Sequence, residues 1–149
     1  MNQSVYTLYF DGCSKGNPGK AGAGYVIYKD NEEISYKSIY VGEKETNNKA
    51  EYMGIFEGLR YAVENDIKHI HVKGDSNLVI KQLRGEYKVK SENIMNIYQQ
   101  TKRLCEQFET ITLEHVYRKD NARADHLANL GLDQQLYTIC KTVITSFYI

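Results

Sequence analysis

Apolar and polar positions change period several times along the chain, and each change marks an element. Residues 5–11, VYTLYFD, are β-branched, aromatic or apolar on both faces, as in a central strand, and they end on the carboxylate of Asp11. Residues 19–41, GKAGAGYVIYKDNEEISYKSIYV, read as two more strands joined at KDNEE, with Tyr36, Ser38 and Tyr40 alternating against Lys37 and Ile39. The three strands are expected to form an antiparallel meander.

The period then lengthens. In 46–66, Ala50, Met53, Ile55 or Phe56, Leu59 and Val63 make a helical stripe behind an N-cap at Thr46 or Asn47. Gly54 and Gly58 cost this helix about 1 kcal/mol each relative to alanine, and their spacing suits close packing on a sheet. Residues 67–75, IKHIHVKGD, read as a strand ending at Asp75, and 76–85 as a short helix that starts at Ser76 and stops at Gly85. The clearest helix is 91–108, where Ile94, Ile97, Tyr98, Thr101, Leu104, Cys105 and Phe108 share one face behind Ser91 as cap. A strand over 110–118 and a helix over 120–132, capped by Asp120 or Asn121, complete the core at 5–132. The tail 133–149 alternates like one more strand; core cover is the plainest role for it, with an edge strand or a partner-binding segment as alternatives.

The order β-β-β-α-β-α-α-β-α predicts an α/β domain with a mixed sheet, antiparallel then parallel, flanked by helices. Sites in such sheets form at the carboxyl ends of the parallel strands. With 149 residues, 42% hydrophobic and 26% charged, one proline and no linker-like tract, the chain reads as one soluble domain.

Formal net charge is zero, so a polyanion must be held by a local patch. The best is 81–90, KQLRGEYKVK, with Lys81, Arg84, Lys88 and Lys90, although a solvated face is the plainer reading of such a run. The three cysteines are widely separated, which points to reduced thiols and a cytoplasmic setting, and the four histidines show no zinc spacing. No signal peptide or membrane span is read.

Four acids stand out by position: Asp11 and Asp75 at strand ends, Glu51 early in the first long helix, and Asp125 early in the last. Each alone is more often a turn, cap or solvated residue. Together at one rim they would repel one another unless a cation were present. Magnesium takes a few carboxylates plus substrate phosphates, and a pair of such ions suits phosphodiester displacement.

The blocks YFDGCSKGNPG, TNNKAEY, VKGDSNLVIKQL and DNARADHLAN, in this order between Val5 and about Leu130, resemble those of type 1 ribonucleases H. The resemblance implies a five-stranded mixed sheet. It also implies an endoribonuclease that cuts the RNA strand of RNA–DNA hybrids by two-metal-ion catalysis, leaving 5′-phosphate and 3′-hydroxyl ends. Asp11, Glu51, Asp75 and Asp125 would be both catalytic and metal-binding. Asp11 would bridge two Mg²⁺, with Mn²⁺ able to substitute; Glu51 and Asp75 would serve mainly one ion and Asp125 the other. Gly12 and Cys13 would offer backbone groups, and Asn17, Asn47 and Asn77 amides, to ribose hydroxyls. Thr46, assisted by Asn48 and Lys49, would bind a phosphate of the DNA strand. The partner would be the hybrid, bound by a monomer without a membrane.

The chain departs from that family pattern in two places. The segment YRKDNARAD before Asp125 holds no histidine. His115 lies earlier, on a strand, and His126 points about 100° away from Asp125 around a helix. No catalytic histidine is expected, and Arg118 is expected to approach the scissile phosphate. Nor is there a basic protrusion after Gly85, so affinity should be modest and salt-sensitive. A DNA-cutting nuclease and a catalytically silent hybrid-binding module are the competing readings.

Overall fold

The meander forms first. β1 (Tyr6–Lys15) pairs antiparallel with β2 (Gly19–Lys29), and β2 with β3 (Glu32–Glu45). After α1 (Asn47–Glu64), β4 (His69–Gly74) returns parallel to β1. After α2 (Asn77–Leu83) and α3 (Glu92–Cys105), β5 (Thr110–His115) adds parallel to β4. A 3₁₀ turn at Arg118–Asp120 leads into α4 (Ala122–Gly131). The sheet order is β3-β2-β1-β4-β5, the five-stranded mixed sheet expected. The structure is a computed structural model that describes residues 3–133; the strand reading of the tail falls on 133–149, of which all but Asp133 lies outside the described residues.

One face of the sheet buries Leu8 and Phe10 of β1 and Tyr25 and Ile27 of β2 against Tyr52, Ile55 and Leu59 of α1, with Ile94 and Ile97 of α3 behind. The two α1 glycines make this approach possible. A Cβ on Gly58 would lie 2.5 Å from Leu8 Cδ1, and one on Gly54 would lie 2.7 Å from the Asp11 carbonyl oxygen. Within the layer, the Tyr52 hydroxyl donates to Gln82 Oε1 at 2.7 Å, both buried. α4 packs on the opposite face, where Gly22 and Gly24 of β2 meet Ala128 and Leu127.

Several local expectations change, among them the strand read over 110–118, which ends at His115 and leaves Arg118 in the 3₁₀ turn. β1 does not stop at Asp11 but runs on to Lys15, because β2 stays paired with it as far as Lys15↔Lys20. Its parallel partner does stop, at Phe10↔Gly74, so Asp11 is interior to the hairpin yet lies at the carboxyl end of the parallel pair. Ser91 precedes α3 without a side-chain cap bond, and Asn121 precedes α4 the same way.

Candidate active site

The register that ends at Phe10↔Gly74 makes Asp11 and Asp75 the next residues of two neighbouring parallel strands. Glu51 joins them from the first turns of α1. Gly12 admits it: a Cβ there would lie 2.2 Å from the Glu51 backbone nitrogen. One carboxylate oxygen from each of Asp11, Glu51 and Asp75 lies within 4.8 Å of the others. Asp125 stands slightly apart from this group. It is carried by α4, partly exposed, and lines the same cleft of about 770 Å³.

Such crowding has an electrostatic cost. Burial pushes the Asp11 carboxyl up from 3.8 to about 7, and the neighbouring Asp75 and Asp125 carboxyls push the same way. Burial, then repulsion from Asp11, holds Glu51 well above the usual carboxylate range. Asp11 Oδ1 accepts the Gly12 N–H at 2.9 Å, whereas Glu51 Oε2 is buried with no hydrogen-bond partner. A carboxylate with an orphaned buried oxygen, grouped with two others, is a donor set that fits a hard divalent cation.

The polar residues near the cleft mouth are partly committed to the fold. Asn17 Oδ1 accepts the Asn47 backbone N–H at 2.9 Å, and Asn47 Oδ1 accepts the Ser14 N–H at 3.0 Å. Both amides therefore use their oxygens internally and keep their NH₂ groups for a ligand. Thr46 caps α1, its Oγ1 accepting the Lys49 N–H at 3.1 Å. Of the first three N–H groups of α1, those of Asn47 and Lys49 are thus taken, which leaves that of Asn48 and the Thr46 hydroxyl proton for a phosphate. Cys13 also lines the cleft; its Sγ contacts the Ala128 carbonyl oxygen at 3.5 Å, and burial pushes its thiol up.

The remaining expected contacts divide between the cleft wall and the surface beyond it. Asn77 is exposed at the start of α2 and is not among the cleft walls. Lys49 Nζ donates to the Asn93 carbonyl at 3.3 Å, tying α1 to α3. In the basic run, Lys81 reaches the Tyr87 hydroxyl and Arg84 pairs with Glu86 at 2.9 Å, while Lys88 and Lys90 are exposed beyond them. Arg118 does line the cleft; it is 82% exposed, with its guanidinium 3.9 Å from Asp125 Oδ1. His115, read in the sequence as a strand residue without a catalytic role, and Tyr117, for which the residue pattern gave no signal, also line it, ring centroids 5.8 Å apart.

The chain is similar to known proteins over most of its length. Residues 9–131 match the family model described as reverse transcriptase-like. A ribonuclease H of Pseudomonas putida is 33% identical over 90% of this chain and 97% of its own. The chain is 40% identical to a bifunctional protein of Mycobacterium tuberculosis over 83% of its length, spanning only 34% of that protein. The N-terminal RNase H domain of that mycobacterial protein superposes with a TM-score of 0.84 at 35% identity, covering 92% of this chain and 99% of the domain. LC11-RNase H1, solved in complex with an RNA/DNA hybrid, gives 0.80 at 31% identity over 88% of this chain and 99% of its own. With that coverage, and with the carboxylates converging from β1, α1, β4 and α4, the chain belongs to the type 1 ribonuclease H family.

Proposed function

We propose that the chain is a metal-dependent endoribonuclease that hydrolyses the RNA strand of RNA–DNA hybrids, leaving 5′-phosphate and 3′-hydroxyl ends. The observation that carries this reading is the group of Asp11, Glu51 and Asp75 within 4.8 Å, with an orphaned buried oxygen on Glu51. Asp11, Glu51, Asp75 and Asp125 would hold two Mg²⁺, or Mn²⁺ in their place. Bound there, the ions supply the charge stabilisation and water activation that in-line displacement at a phosphodiester requires.

The chain's own groups orient the substrate. The NH₂ groups of Asn17 and Asn47 donate to ribose hydroxyl oxygens, which a DNA strand lacks. The Thr46 hydroxyl and the Asn48 N–H take a phosphate of the other strand. Arg118, exposed at the cleft, approaches the scissile phosphate. Lys81, Arg84, Lys88 and Lys90 meet the backbone further out, which makes affinity salt-dependent. All four carboxylates come from one chain, so the reading needs no second copy.

The test is cleavage of an end-labelled RNA–DNA hybrid with Mg²⁺, with Mn²⁺ and with chelator, beside Asp11→Asn. Metal-dependent cleavage of the RNA strand that is lost in Asp11→Asn is the expected result. Hybrid binding without cleavage in either metal would instead indicate a binding module, and cleavage of a DNA duplex would indicate a different nuclease.

A further inference from the structure

Asn121 lies one helical turn before Asp125 and is 1% exposed. Its side chain makes no cap bond to α4. Instead its Nδ2 donates to the Phe10 carbonyl oxygen at 2.9 Å, across 111 residues of sequence. Phe10 immediately precedes Asp11 and is the last β1 residue paired with β4. On its other side, the Asn121 carbonyl oxygen accepts the Asp125 N–H at 3.0 Å. One residue thus grips the backbone beside Asp11 with its side chain and the backbone of Asp125 with its main chain.

The rest of the amide is sacrificed to this link. Asn121 Oδ1 is buried without a partner, although an orphaned buried acceptor is costly. A residue kept only to begin a helix would turn that oxygen to the free N–H groups of α4. α4 also has a polar anchor away from the carboxylates. Arg123 donates to both Glu33 oxygens, at 2.8 and 3.3 Å, with its guanidinium 5.0 Å from the Tyr36 ring centroid. Besides its packing on β2 and the Cys13 Sγ contact to Ala128, α4 is thus tied to the sheet through Asn121 and Arg123, and Asn121 is the one that grips the residue next to Asp11.

We propose that Asn121 is a positioning residue: its amide fixes the spacing of Asp125 from Asp11 and thereby sets the divalent-cation affinity of the site. This rests on the metal-dependent reading above.

Full-length wild type, Asn121→Ala and Arg123→Ala are compared in two assays. One is Mn²⁺ binding to the hybrid-free protein, followed by the spectroscopic signal of free Mn²⁺; the other is the Mg²⁺ dependence of cleavage. Asn121→Ala is expected to weaken Mn²⁺ binding about tenfold and to raise the half-saturating Mg²⁺ similarly, in the usual range for residues that orient metal ligands, with KM for the hybrid unchanged. Arg123→Ala is expected to lower the melting temperature while Mn²⁺ binding stays at the wild-type value. Wild-type Mn²⁺ binding in Asn121→Ala, or equal weakening in both variants, would overturn the inference. If the alanine variant does not fold, Asn121→Ser repeats the test with a hydroxyl too short to reach Phe10. Wild-type Mn²⁺ binding that survives Asp11→Asn would overturn the metal-dependent reading, and this inference with it; failure in Asn121→Ala alone would leave that reading standing.

Discussion

Gly12 and Glu51 are in backbone contact: a Cβ at position 12 would lie 2.2 Å from the Glu51 nitrogen and 2.3 Å from the Ala50 carbonyl carbon. Neither atom is at the end of a flexible side chain, so α1 itself would have to shift. Gly12→Ala is expected to cost roughly 3 kcal/mol, at the upper end of overpacking substitutions, and to move Glu51 away from Asp11. Urea unfolding and metal-dependent cleavage check the two effects. A variant that matches wild type in both would refute the contact.

The metal-free protein should lose stability as pH rises. Asp11 keeps its proton up to about 7 in the fold but ionises near 3.8 when unfolded, so between those values the folded state binds more protons. The stability is complete below the unfolded value and is lost as pH climbs to the folded one. At most this is on the order of 4 kcal/mol. Asp11→Asn removes the liability, so in chelator its melting temperature should exceed that of wild type at about pH 8 and converge with it near pH 4. Adding Mg²⁺ at the higher pH should stabilise wild type and leave Asp11→Asn unmoved. Equal melting curves across the range would refute the buried, uncompensated carboxyl.

Asn17 allows cap and donor to be separated. Asn17→Asp keeps an acceptor for the Asn47 N–H at the start of α1 but removes the NH₂ group. Its melting temperature should stay near wild type, while KM for the hybrid rises several-fold. Asn17→Ala loses both functions and should also cost about 1 kcal/mol of stability. Calorimetry with steady-state cleavage reads both; unchanged KM in Asn17→Asp would remove Asn17 from substrate binding.

Behind the site, Tyr52→Phe strands Gln82 Oε1 in the core and should cost about 1–3 kcal/mol. Combining it with Gln82→Leu removes both partners and should recover much of that loss in a double-mutant unfolding cycle. Additive losses would show that the two groups do not depend on one another.

The sheet was legible in the sequence because alternation and helical stripes each bury one face, and the Asp11–Asp75 adjacency follows once β1 and β4 are known to be parallel. The end of β1 was not. The apolar run stops at Asp11 because that residue faces the cleft, while pairing to the small residues of β2 carries the strand on to Lys15. Asn121 was hidden for another reason. An asparagine just before a helix is locally explained as a cap, and its true partner, the Phe10 carbonyl, lies in the first strand. Asn77 is a different case: Asp75, Ser76 and Leu78 line the cleft, while Asn77 itself sits exposed at the start of α2.

The link between Asn121 and Phe10 also orders events in time. Asp11, Glu51 and Asp75 leave the ribosome before α4, so a chain grown only as far as β5 carries three of the carboxylates but has neither the fourth nor the amide that registers it. On the proposed function, cutting competence waits until α4 has been made and docked, which keeps a chain grown only as far as β5 from acting as a nuclease on nearby nucleic acid.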